Sequence, residues 1–163
     1  MSSSDSGAEG DGIVELAMTP IGFIRTPYQR VSDIPRQGYL SGDTGEIHVD
    51  QEFEEGLRDV ESFSHLIVLY YYHGVEGYAL SDTPPFMKAP RGIFSIRSPR
   101  RPNHIGLTVV KLLERSGNVL KVTHIDMLDG TPLLDIKPYI PEADSIPDAK
   151  TGLDPGGGRA RNK

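Results

Sequence analysis

Apolar and polar residues alternate along this chain in short runs, and turn-forming clusters separate them. Ile21 to Thr26 alternates before Pro27, Gly45 to Val49 is short and suits an edge strand, and Ile93 to Arg97 predicts another strand. Ser64 to Tyr72 is the most apolar run and reads as a central strand covered on both faces. Ile105 to Arg115 and Val119 to Met127 flank Ser116-Gly117-Asn118, which predicts a hairpin. Leu133 to Lys137 completes the strands, and only Gln51 to Leu57 reads as a short helix. Many strands and almost no helix predict an all-β fold, a sandwich or a closed barrel. The glycine fingerprint and βαβ alternation of dinucleotide folds are absent, so loops must hold any nucleotide.

Composition narrows this picture. With 163 residues the chain fits one domain with a genuine core. It has no cysteine, which excludes disulfides and thiolate metal sites and favours an intracellular compartment. No apolar run approaches the ~18 to 20 residues that cross a bilayer, and no signal-peptide pattern opens the chain. A cytoplasmic protein with no membrane and no metal partner is expected. Residues 1–15 are rich in Ser, Gly and Asp and read as a disordered leader. The folded domain is expected over residues 16–148. Residues 149–163 read as a flexible tail, whose Gly156-Gly157-Gly158 follows no strand and lacks the setting of a phosphate loop.

A net charge of −6 argues against a uniformly basic nucleic-acid surface, yet it permits a local patch. Arg97, Arg100 and Arg101 supply one, beside Pro99, Pro102, Asn103 and His104. Three guanidiniums this close repel one another, so an anionic or planar ligand is a physical reason to gather them. The prolines stiffen the loop that presents them.

Three further segments carry candidate chemistry. Pro35, Arg36 and Gln37 offer directional donors on a stiff loop that also reads as an ordinary connection. His73 and Gly74 fall where the central strand leaves the core, after Tyr70-Tyr71-Tyr72, an aromatic cluster that packing alone also explains. Asp126-Met127-Leu128-Asp129-Gly130-Thr131-Pro132 is a strong turn that adds backbone polar groups beside two carboxylates. Those groups suit an adenine edge, a ribose or a sulfonium cation. Asp135 and Lys137 share a strand face and read as a structural ion pair. The histidines lack metal-ligand spacing, and Ser64-His65 has no nucleophile-elbow surroundings.

Taken in order, Pro35-Arg36-Gln37, Phe63-Ser64-His65-Leu66, Arg97-Ser98-Pro99 through Arg101-Pro102-Asn103 with Ile105-Gly106, and Asp129-Gly130-Thr131-Pro132 through Asp135-Ile136-Lys137-Pro138-Tyr139 resemble the TrmO (YaeB/TsaA-like) family of tRNA methyltransferases. The resemblance spans Ile21 to Asp148. It implies a small antiparallel β-barrel with few short helices, S-adenosyl-L-methionine as cofactor, and a homodimer with cofactor sites near the subunit interface. It implies methylation of the exocyclic amine of N(6)-threonylcarbamoyladenosine beside the anticodon of threonine tRNA.

By motif, the implied cofactor contacts are Pro35, Arg36, Gln37, His73, Gly74, Arg97, Leu107, Leu128, Asp129, Gly130 and Thr131. Asp129 is the candidate catalytic acceptor, and Arg100, Arg101 and Asn103 are candidate RNA contacts. The bacterial pattern has a side-chain amide where this chain has Gly74. It also continues into a smaller second domain, so a short form is expected here. Two other classes fit the same residues: a methyltransferase of a small molecule, and a non-catalytic barrel that binds a nucleotide or RNA.

Overall fold

The computed structural model describes Gly12 and residues 14–36 and 38–153. Most of the expected leader, Gln37 and the end of the expected tail therefore lie outside the described residues. Among those described, six strands close an antiparallel barrel: β1 (Gly22–Arg25), β2 (Thr44–Val49), β3 (His65–Tyr71), β6 (Ile105–Ser116), β7 (Val119–Thr123) and β8 (Thr131–Pro138). Around the wall they run β1-β2-β7-β6-β3-β8. Two-residue strands β4 (Ser81–Asp82) and β5 (Arg91–Gly92) pair in a separate ribbon between β3 and β6.

Alternation fills the barrel. Ile24, Ile47, Leu66, Val68, Val110, Leu120, Val122 and Leu133 point inward and are wholly buried. Burying each such side chain is worth about 1.5–3 kcal/mol, before the entropy of ordering it. Their cross-strand partners set the register, with Val68 opposite Thr108 and Ile47 opposite Leu120. Leu134 is the extra residue of a bulge where β8 passes β3, since Leu69 faces Asp135 and Tyr70 faces Leu133.

The all-β expectation holds, and closure corrects several details. Gly45 to Val49 is no edge, because β2 is bonded to both β1 and β7. Ser64 to Tyr72 is covered fully on one face only; Tyr71 on its outer face is 41% exposed. Ile93 to Arg97 is no barrel strand. It turns as a 3₁₀ segment at Ile93–Ser95, because Ile93 and Ile96 are both buried three residues apart, a helical rather than alternating spacing. Gln51–Leu57 is a 3₁₀ helix, and the four-residue α1 (Pro141–Asp144) follows the last strand. Among the described residues no helix is long and apolar enough to cross a membrane.

Candidate functional site

The carboxyl ends of β1, β3 and β7 and the amino ends of β2, β6 and β8 meet at one mouth of the barrel. Three of the sequence-predicted segments are tied together there. Residues 127–131 are strapped to β1 and its extension. The N–H of Asp129 donates to the Tyr28 carbonyl and that of Gly130 to the Ile24 carbonyl, each at 2.8 Å. In return, Thr26 Oγ1 donates to the Met127 carbonyl at 2.8 Å, and its N–H to Asp129 Oδ1 at 3.0 Å. That backbone N–H holds the Asp129 carboxyl below the usual carboxylate range, helped by Gln29 and Arg25. Asp129 Oδ2 has looser partners, Gln29 Nε2 at 3.3 Å and Arg25 Nη1 at 3.7 Å.

Asp126 behaves in the opposite way. It is half-buried, and burial raises its carboxyl above the ordinary range. Thr108 Oγ1 donates to its Oδ1 at 2.6 Å, and the Gly38 N–H donates to the same carboxylate; with the Arg97 charge, these offset part of the rise. Thr108 in turn shares a 3.0 Å hydrogen bond with the buried Tyr70 hydroxyl, and the Tyr70 and Tyr72 rings meet edge-on at 5.3 Å. Burial also pushes both phenols up. Asp126 therefore joins the end of the first loop, the start of β6 and, through Thr108, the end of β3. Two glycines make this approach possible. A Cβ on Gly38 would strike the His124 carbonyl, and one on Gly106 would enter the Tyr70 ring.

The remaining candidates spread over the rim. Pro35 is half-buried and Arg36 exposed. His73 and Gly74 are exposed, and Leu128 lies 3.8 Å from where a Gly74 side chain would begin. The structure thus brings the end of β3 to the last loop. Arg97 is exposed and has no ion-pair partner among the described residues; its charge reaches Asp126 and Tyr72. Leu107 stands apart. It follows the outward alternation of β6, 46% exposed, opposite Leu69 on the outer wall. Arg101 Nη1 donates to the Ile96 and Ser98 carbonyls at 2.8 and 3.2 Å, so it braces its own loop, while Arg100 and Asn103 are exposed. The sequence names Asp129 as the acceptor and offers Asp126 only as a second carboxylate of the same turn. Only Gly38 and Thr108, distant in sequence, single it out. Asp135 and Lys137 do pair, at 3.0 Å on the surface.

Two shallow grooves, of about 390 and 340 Å³, lie away from this mouth, near the β6–β7 turn; both include Arg115. Open to solvent and lined by residues of both charges, they gather none of the candidate chemistry. Among the described residues no cluster of potential metal ligands occurs.

The model of the tRNA-methyltransferase O N-terminal domain matches residues 23–145. The chain belongs to the TrmO family. An Archaeoglobus fulgidus protein named a probable S-adenosyl-L-methionine-binding protein is 51% identical over 137 residues, 84% of this chain and 37% of its own length. The Escherichia coli protein named tRNA (adenine(37)-N6)-methyltransferase is 39% identical over 140 residues, 79% of this chain and 60% of that protein. A crystal structure of TrmO from Pseudomonas aeruginosa matches with a TM-score of 0.74 at 34% identity, covering 88% of this chain and 63% of that one. This TrmO-family chain thus spans less than two thirds of each of these three relatives.

Proposed function

We propose that this protein is a cytoplasmic S-adenosylmethionine-dependent tRNA (adenine-N6)-methyltransferase acting on threonylcarbamoyladenosine beside the anticodon of threonine tRNA. The observation that carries the reading is the convergence at one mouth of the end of β3, the first loop and the 126–131 loop, in a chain of the TrmO family.

The donor set fits the cofactor. Arg97, which makes no ion pair among the described residues, suits a carboxylate. Backbone carbonyls of the 128–131 loop, with backbone groups of Pro35, Arg36, His73 and Gly74, suit an adenine edge and a ribose. Two carboxylates at the mouth suit a sulfonium cation. Bound S-adenosylmethionine supplies the activated methyl group.

The chain's own residues bind and orient. An adenine amine is a weak nucleophile because its lone pair is delocalised, so holding it about 3–3.5 Å from the reacting carbon contributes much of the rate. Asp129 Oδ2 would accept a hydrogen bond from that amine in place of its long contacts to Gln29 and Arg25, and the proton that the nitrogen sheds as it gains the methyl group would pass to solvent at the open mouth. Held ionised, Asp129 orients the amine more readily than it removes the proton. Asp126 acts one step back, fixing the loop and β6 against each other.

The working form is a homodimer. Ile67, Leu69 and Tyr71 on β3 pair with Val109, Leu107 and Ile105 on β6, making an uncharged apolar strip on the outer wall. A second copy covering it would bring Leu107 beside the cofactor site, where the family motif assigns it. Such contacts are isologous, the commonest kind in dimers.

The test is methyl transfer from radiolabelled S-adenosylmethionine to tRNA with and without the threonylcarbamoyl group. The expected result is label only in the modified pool, recovered as the methylated nucleoside after digestion. Cofactor binding without label in either pool would reject the tRNA reading in favour of another methyl acceptor.

A further inference from the structure

Between β3 and β6 the chain leaves the barrel for more than thirty residues, and its charge is segregated there. Residues 83–103 contain Lys88, Arg91, Arg97, Arg100 and Arg101 and no acidic residue. The rest of the chain holds the other 12 of 17 basic residues and all 23 acidic ones. Large apolar side chains stand exposed on the same excursion. Phe94 is 77% exposed, Leu80 67%, Tyr78 61% and Phe86 50%.

The backbone beneath them is held in place. β4 pairs with β5, the Ile93 N–H donates to the Leu80 carbonyl at 3.0 Å, and the Ala79 N–H to the Arg100 carbonyl at 3.1 Å. Ser98 Oγ donates to Asp82 at 2.6 Å and keeps that carboxyl below its usual range. Ile93 and Ile96 are buried on either side of Phe94. The Ile93–Leu80 hydrogen bond sets the exposed Leu80 beside the segment that carries Phe94, so these side chains form a patch and are not scattered single exposures.

We propose that this excursion is a stacking surface for unpaired nucleotides of RNA, with Phe94 and Phe86 as base platforms and Lys88 and Arg100 as phosphate contacts. The proposal rests on the tRNA reading above and deepens it. Aromatic faces among cations are the signature of single-strand binding, because every base has a π-face and every linkage an anion. The five cations are not equivalent. Arg101 braces loop carbonyls, Arg91 Nη1 donates to the Gly152 carbonyl at 2.7 Å, and Arg97 faces the mouth, which leaves Lys88 and Arg100. A second copy fits less well. An isologous contact centred on Phe94 would bring the acid-free residues 83–103 of two copies together, whereas the uncharged wall of β3 and β6 carries no such penalty.

The experiment uses the full chain and an RNA hairpin with an unpaired loop, with a fully paired duplex as control, titrated across salt. The wild type should prefer the hairpin, with a slope of log affinity against log salt of about −1.4 for two neutralised phosphates. Phe94→Ala and Phe86→Ala should each weaken hairpin binding about tenfold with the slope unchanged. Lys88→Ala and Arg100→Ala should each flatten the slope by about 0.7. S-adenosylmethionine affinity should stay at the wild-type value in all four, which separates a lost surface from a lost fold. Wild-type hairpin affinity in both phenylalanine variants, while tRNA is still methylated, overturns this surface and leaves the enzyme reading intact. Loss of the dimer in Phe94→Ala by sedimentation overturns it in favour of an interface between copies. A wild type that binds neither RNA overturns this surface, and methyl transfer to the modified tRNA decides the enzyme reading separately.

Discussion

The barrel body and its mouth are built from the same strands by opposite rules. In the body, side chains such as Leu120 and Val68 are apolar, wholly buried and interchangeable in kind; what counts is volume. At the mouth, a few polar atoms each have a named partner: Thr26 with Asp129, Thr108 and Gly38 with Asp126. Body residues should therefore govern whether the chain folds, and mouth residues what the folded chain binds. The two carboxylates sharpen the point, since three residues apart they have proton affinities shifted in opposite directions.

The strongest attempt to break this division is Leu120→Ala. It should lower stability by about 2–5 kcal/mol in a denaturant titration, while the fraction still folded binds cofactor normally. A selective loss of cofactor affinity would mean the body and mouth are not separable. Arg97→Ala is the converse. Calorimetry should give at least a tenfold weaker S-adenosylmethionine complex, with thermal stability almost unchanged. Normal binding would withdraw Arg97 from the site.

Asp129→Asn tests the seam between the two regions, and its sign follows from the lowered carboxyl. The folded state holds its proton less tightly than the unfolded state, so ionised Asp129 stabilises the fold above the unfolded value of about 3.9. That contribution fades as pH falls through the still lower folded value. The variant should thus be less stable at neutral pH, by on the order of 1 kcal/mol, and the gap should close in acid. A pH-independent gap would assign the loss to shape instead of charge. The smallest effect belongs to Lys137→Ala. Its exposed pair with Asp135 is worth at most about 0.5 kcal/mol, and high salt should erase the difference in melting temperature.

Much of the body could be read from the sequence because a two-residue period is a local signal. Ser64 to Tyr72 and Ile105 to Arg115 declare their strands by alternation, and Ser116-Gly117-Asn118 declares the turn after the second. Closure is not local. Nothing within Gly45 to Val49 says that both of its sides are paired, and Ile93 to Arg97 has strand composition but a helical burial spacing. The mouth divides in the same way. Arg97 and the Asp129 loop stand out by composition, while Asp126 gains its meaning from Gly38 and Thr108, 88 and 18 positions away. Leu107 is the instructive case. Its motif position is plain, yet alternation turns its side chain to the outer wall.

The seam between β1 and β8 also has a consequence in time. Gly22 pairs with Leu133 and Ile24 with Thr131, so the first strand and the last are neighbours. On a ribosome, β1 emerges early and must wait, unpaired on that side, until nearly the whole domain has been made. Joining partners more than a hundred residues apart is entropically slow, so ring closure is expected to be the late step of folding. The straps from β1 to Met127, Asp129 and Gly130 form in that same event. A nascent chain halted before β8 would own most of a core and none of a finished mouth.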